Sequence, residues 1–254
     1  MPRADYDPYG IFPSPKPHRR IRQRRSESVN TFDAIGGDDP SSGCRLSEMA
    51  MEFLFYIDNA ITEHIFSMAS EWSETGGLFR PAAKLMEWSM HGLVWLTGII
   101  IAIFVTDSRV AAHLLINLFF ALLLDLMVIG VLKLIFRRPR PRGNRGNMIA
   151  EAPYVDQFSF PSGHSSRAAM LTKLLITLTV MELKTKMMVI CFPISLGLSR
   201  IMLGRHYFSD VVAGLLIGLV ECDVATYFWL SPEACLKLWR MAQENTILHP
   251  SRFY

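Results

Sequence analysis

Five apolar stretches, the first four in two pairs each joined by a short polar link, constrain this 254-residue chain more than any other feature. They lie at residues 89–106, 110–136, 165–181, 187–203 and 211–230. A helix needs about 20 apolar residues to cross the roughly 30 Å hydrocarbon core of a bilayer. Inside that core only structures that satisfy their own backbone hydrogen bonds survive. The expected fold class is therefore all-α: a multi-span membrane helix bundle of about five spans. With half the residues apolar and 19% charged, disorder of the whole chain is excluded. The links DSR (107–109) and ELKTK (182–186) are short enough to make helical hairpins, so the opposite helix ends gather on one side of the membrane.

Residues 46–70, LSEMAMEFLFYIDNAITEHIFSMAS, repeat apolar positions every three or four residues but carry Glu48, Glu52, Asp58 and Glu63. A central Asp costs about 2.5–3.5 kcal/mol on insertion scales. This stretch is expected to be an amphipathic first helix lying in the interface or against other helices. Before it, residues 1–45 lack apolar periodicity and read as a disordered arm. The arm's basic block (Lys16, Arg19, Arg20, Arg22, Arg24, Arg25) suits anionic cytoplasmic lipid, a purely topological tail, or a nuclear signal. Phosphorylation of Ser26 or Ser28 would weaken its charge. The expected organisation is thus an arm at 1–45, a membrane domain at 46–230 and a C-terminal tail at 231–254.

A net charge of +3 excludes a polycation built for nucleic acid. Cys44, Cys191, Cys222 and Cys235 form no CxxC pair, so neither a disulfide framework nor a zinc site is expected. The N-terminus has no apolar signal-peptide core, and insertion must use internal segments.

Ionisable groups at membrane depth are costly and face bundle interiors or sites. Asp125 and the Glu221/Asp223 pair either join helices or line a substrate cavity, while Lys173 reads as a snorkelling residue. Three further clusters stand at helix ends on one side: KLIFRRPRPRGNR from Lys133, FPSGHSSR with Ser162, Gly163 and His164, and SRIMLGRHYFSD with Ser199, Arg200, His206 and Asp210. Lys133, Arg140 and Arg200 supply permanent positive charge, and guanidinium forks match phosphate oxygens. Ser162 and Gly163 precede a helix whose N–H groups and dipole favour an anion. His206 and Asp210, four apart, are expected to share a helical face, the carboxylate holding one imidazole nitrogen and leaving the other to attack. His164 supplies a general acid. Arg137, Arg138, Arg142 and Arg145 read as topology signals under the positive-inside rule. A lone PSGH is a weak motif; the ordered conjunction at helix ends is much harder to obtain by accident.

These motifs resemble the type 2 phosphatidic acid phosphatase (PAP2) superfamily, whose pattern is K-x6-RP, PSGH and SR-x5-H-x3-D. Lys133, Arg140 and Pro141, then Pro161 to His164, then Ser199, Arg200, His206 and Asp210 match it without a gap, within a resemblance over about residues 46–230. FSFPSGHSSRAAM, GLSRIMLGRHYFSDV and WLSP resemble the polyisoprenoid diphosphate phosphatase branch. The resemblance implies a magnesium-independent membrane lipid phosphatase without cofactor, acting on presqualene, farnesyl or geranylgeranyl diphosphate through a phosphohistidine. His206 would be the nucleophile, Asp210 its orienter, His164 the acid and base, and Lys133, Arg140, Ser162, Gly163 and Arg200 the phosphate site. It also implies the endoplasmic reticulum and nuclear envelope. A first helix that does not cross would put the site on the cytoplasmic face. Alternatives are a broader phosphatase for phosphatidic acid or sphingosine 1-phosphate, a silent membrane scaffold, or vanadate-dependent haloperoxidase chemistry.

Overall fold

The computed structural model describes residues 40–74, 79–144 and 157–244, and these are helical throughout their regular elements. The order is α1 (Pro40–Glu74), α2 (Phe79–Ser89), α3 (Gly92–Val105), α4 (Arg109–Phe136), α5 (Gly163–Leu178), α6 (Leu183–Met202), α7 (Phe208–Tyr227) and α8 (Pro232–Glu244). Each expected apolar run thus contains one helix, α3 to α7. The basic block of the N-terminal arm, Ser26, Ser28 and Arg145 lie outside the described residues.

Among the described residues, only α4, with 28 residues, and α6, with 20, are long and apolar enough to cross a bilayer by themselves. Two bent pairs, α2 with α3 at 47° and α7 with α8 at 92°, bring the number to four if each is one span. This is fewer than the five expected. α5 has 16 residues, about 24 Å of helix at 1.5 Å per residue, and α7 carries Asp210, Glu221 and Asp223. α1 is not among the candidate spans. Phe53, Leu54, Phe55 and Tyr56 on it are exposed, while Asp58, Thr62 and Ala69 are buried.

α5 lies at the centre, packed on α4, α6 and most extensively on α7. The α5–α7 approach is close because small residues meet: Gly214 and Gly218 face Ser162, Ser165 and Ser166. A Cβ on Gly218 would collide with the Ser166 carbonyl oxygen, which is backbone and cannot yield cheaply. Gly218→Ala is therefore expected to destabilise the bundle by about 1–3 kcal/mol, as overpacking does, and to cut activity because α7 carries the site. Thermal unfolding in detergent checks this, and an unchanged melting temperature would contradict it. Ile99, Ala121, Leu122, Met170, Leu174 and Cys222 form the apolar centre of this packing. Large apolar side chains such as Val105, Leu134, Met188 and Val220 remain exposed, the inversion of a water-soluble surface that a lipid-facing bundle presents.

The span charges pair between helices. Arg167 of α5 meets Asp125 of α4 at 2.5 Å, and Ser166 donates to Glu221 of α7 at 2.7 Å. Lys173 does more than snorkel: it pairs with Asp223 at 2.5 Å and donates to the Leu219 carbonyl. At the opposite helix ends Asn117 accepts from the Leu230 amide and His113 lies 3.0 Å from its carbonyl, tying the chain after α7 to α4. Within the segment read as a tail, α8 packs on α4, burying Cys235, and Trp239 donates to the Ile103 carbonyl.

Candidate active site

The three motif segments meet where α4 ends, α5 begins, α6 ends and α7 begins. α4 stops because Arg137 takes a left-handed conformation (φ 46°) and Pro139 and Pro141 cannot continue a helix. Lys133 is buried in its last turn. Beyond it, Arg140 donates to the Arg205 carbonyl at 2.9 Å, which lays the first motif against the third. α6 ends at Gly204, whose φ of +69° and contact with Gly143 exclude a side chain. That turn buries Arg200, Arg205 and His206 together.

His206 precedes α7 instead of sharing a helical face with Asp210. Its Nδ1 donates to the Ser159 carbonyl at 2.7 Å, while Asp210 Oδ2 is 3.6 Å away. A carbonyl only accepts, so Nδ1 carries the proton and Nε2 keeps its lone pair. The Ser159 carbonyl therefore fixes the tautomer of the imidazole, with the Asp210 carboxylate beside the same nitrogen. Burial first, then the charges of Arg140 and Arg200, press the His206 pKa down to about 3 against the opposing pull of Asp210. The imidazole is neutral at physiological pH.

The Ser162 amide donates to the Asp210 carbonyl at 3.0 Å and its hydroxyl pairs with Ser165, so the amide is already engaged. The first-turn amides of α5, from Gly163 on, have no intrahelical acceptor by helix geometry, and a helix terminus of this kind favours an anion. His164 Nε2 donates to the Glu87 carbonyl at 3.1 Å, and Arg167, one turn on, donates to the Met90 carbonyl at 2.7 Å. Both occupy carbonyls at the C-terminal end of α2, docking that helix against the site.

Residues 114–231 match the PAP2 superfamily. The chain is 33% identical over 132 residues to a probable lipid phosphate phosphatase beta of Arabidopsis thaliana, covering 42% of this chain and 62% of that one. It is 32% identical over 121 residues to phosphatidylglycerophosphatase B of Escherichia coli K12, covering 41% and 47%. LpxE of Aquifex aeolicus is a structural neighbour at a TM-score of 0.44 and 22% identity, covering 60% of this chain and 87% of that one. The chain spans about half the length of the curated relatives it matches.

Two helices outside the matched residues 114–231 contribute to the same cluster. Arg138, read from sequence as a topology signal, bridges Asp58 of α1 at 2.5 Å and Asp210 at 2.8 Å. Tyr207 stacks on the guanidinium at 3.9 Å. Ser209 adds its amide and hydroxyl to Asp58. From α2 comes Glu87, 2.9 Å from Arg200. Ser159, held by the Arg138 and Pro139 carbonyls, is a further residue that sequence reasoning missed. A buried Asp in the middle of an amphipathic helix was the one available signal for Asp58.

Proposed function

We propose that this protein is a membrane phosphatase that hydrolyses the phosphate or diphosphate ester of a lipid without magnesium. The observation that carries this reading is a buried, neutral His206 whose Nδ1 is held by the Ser159 carbonyl, leaving Nε2 as a nucleophile under the charges of Arg140 and Arg200. In the proposed reaction Nε2 attacks phosphorus as the bond to the leaving oxygen breaks, and His164, in its imidazolium form with Nε2–H kept on the Glu87 carbonyl, gives that oxygen its Nδ1 proton and becomes neutral. The Asp210 carboxylate stabilises the imidazolium form of His206. Water then attacks the phosphohistidine, its proton passing to His164, and inorganic phosphate leaves. Lys133, Arg140, Arg200 and the Gly163 end of α5 stabilise charge on the equatorial oxygens, the part a metal plays elsewhere.

An apolar cavity of about 710 Å³ runs along α5 from Ala168, one turn from His164, to Thr179, with walls including Met90, Trp95, Leu171 and Phe192. It suits a hydrocarbon chain whose phosphate ends at the histidines. The relatives' names refer to lipid phosphates, and the motif contexts of the polyisoprenoid branch favour isoprenoid diphosphates such as farnesyl and presqualene diphosphate, in the endoplasmic reticulum and nuclear envelope with a cytoplasmic site. Purified protein is expected to release phosphate from farnesyl diphosphate, fully in EDTA and inhibited by vanadate. A strict Mg²⁺ requirement would sink the mechanism, and release only from phosphatidic acid would replace the substrate assignment.

A further inference from the structure

The phosphate-binding end of this site holds an anion of the protein's own. Glu87 of α2 is 3% exposed, its Oε1 lies 2.9 Å from Arg200 Nη1 and its Oε2 3.8 Å from Arg205 Nη2. Oε2 accepts no hydrogen bond among the described residues, so the carboxylate is buried but half satisfied. We propose that Glu87 is a specificity-determining residue, a resident carboxylate that Arg200 exchanges for a phosphate monoester or terminal diphosphate and that excludes phosphodiester headgroups. The inference rests on the reading that Arg200 binds the substrate phosphate.

The physical need comes from the membrane itself. Its bulk lipids are phosphodiesters, present around the site at far higher concentration than any monoester. An open arginine cluster beside an apolar cavity would be filled by them. A diester carries one negative charge and two non-bridging oxygens, which is what a carboxylate already offers. Glu87 is tethered, so its effective concentration at Arg200 is high and a diester gains nothing by replacing it. A monoester carries about −1.5 to −2 charge near neutral pH and three strong acceptor oxygens. It therefore satisfies Arg200 and Arg205 better than Glu87 does, and side-chain rotation alone lets it in. Because the Glu87 carbonyl also accepts from His164, the same residue sets the general acid while its side chain guards the phosphate site.

The test uses the full chain in mixed micelles, with binding of inorganic phosphate read as a rise in melting temperature and, separately, as inhibition of turnover. Glu87→Gln keeps the shape and removes the charge. It is expected to bind phosphate and vanadate about tenfold more tightly, and to become competitively inhibited by phosphatidylglycerol, an anionic diester that leaves the wild type unaffected. Glu87→Asp keeps the charge but retreats from Arg200, and is expected to fall between the two in phosphate affinity while still excluding the diester. A folded variant with unchanged or weaker phosphate binding overturns the inference, as does inhibition of the wild type by phosphatidylglycerol. Wild type that binds phosphate but releases none from any lipid phosphate overturns the proposed function instead.

Discussion

Replacing His206 with alanine is expected to lower turnover by about 10⁴-fold or more, because the bond-forming atom of the proposed reaction is lost. The protein should still accumulate in membranes, since Ser159 keeps the bonds of its amide and hydroxyl to the carbonyls of residues 138 and 139, and Asp210 keeps Arg138 and the Tyr207 amide. A variant keeping more than a few per cent of activity would remove His206 from the mechanism. The same residue gives a pH signature in stability. Its pKa falls from the ordinary value near 6.5 to about 3 on folding. Below about pH 6.5 the unfolded chain takes up the proton first, so this contribution is complete above pH 6.5 and is lost as pH falls toward 3. The loss is about 1.4 kcal/mol per pH unit. Between pH 7 and pH 5 the wild type should lose about 2 kcal/mol more than His206→Ala, measured by denaturation in detergent. Equal losses would show that the imidazole is not buried as described.

The second large effect belongs to Arg138. Arg138→Met removes the cation shared by Asp58 and Asp210, and Asp210 is fully buried. Removing one partner of a buried ion pair strands the other charge and costs about 3 kcal/mol or more. Activity should fall about 10²-fold, since α7 and the Asp210 carboxylate lose their anchor to α1 and the α4 end. Arg142→Ala, an exposed arginine four residues away, is the control and should change stability by less than about 0.5 kcal/mol. Similar losses in the two variants would return Arg138 to the class of topology signals. Thermal unfolding and phosphate release report the two effects separately.

That contrast marks where sequence reasoning reaches its limit. Arg137, Arg138, Arg140 and Arg142 are chemically alike and nearly contiguous, and spacing from Lys133 singles out Arg140 alone. What separates Arg138 is the direction given to it by the left-handed Arg137 and the prolines on either side of Arg140, together with a carboxylate arriving from 80 residues upstream. His206 and Asp210 are a similar case. Their spacing of four suggested one helical face, but α7 starts two residues after His206, so the imidazole turns to Ser159 instead. Asp125 and Glu221 left two readings open in the sequence, and the structure pairs them with Arg167 and Ser166.

The sequence by itself determined the helical class, the five apolar runs and the gathering of the three motifs at one set of helix ends. Those are consequences of run length, of the cost of an unsatisfied backbone in hydrocarbon and of short hairpin links, all of which are local. Only the tertiary structure decided the partners: Asp58 for Arg138, Ser159 for His206 and Glu87 for Arg200. These contacts join segments 47 to 113 residues apart, and no periodicity or propensity encodes which buried charge will meet which. Packing of α1 and α2 onto the ends of α4 to α7 makes that choice, because each buried charge must find its complement once water is excluded.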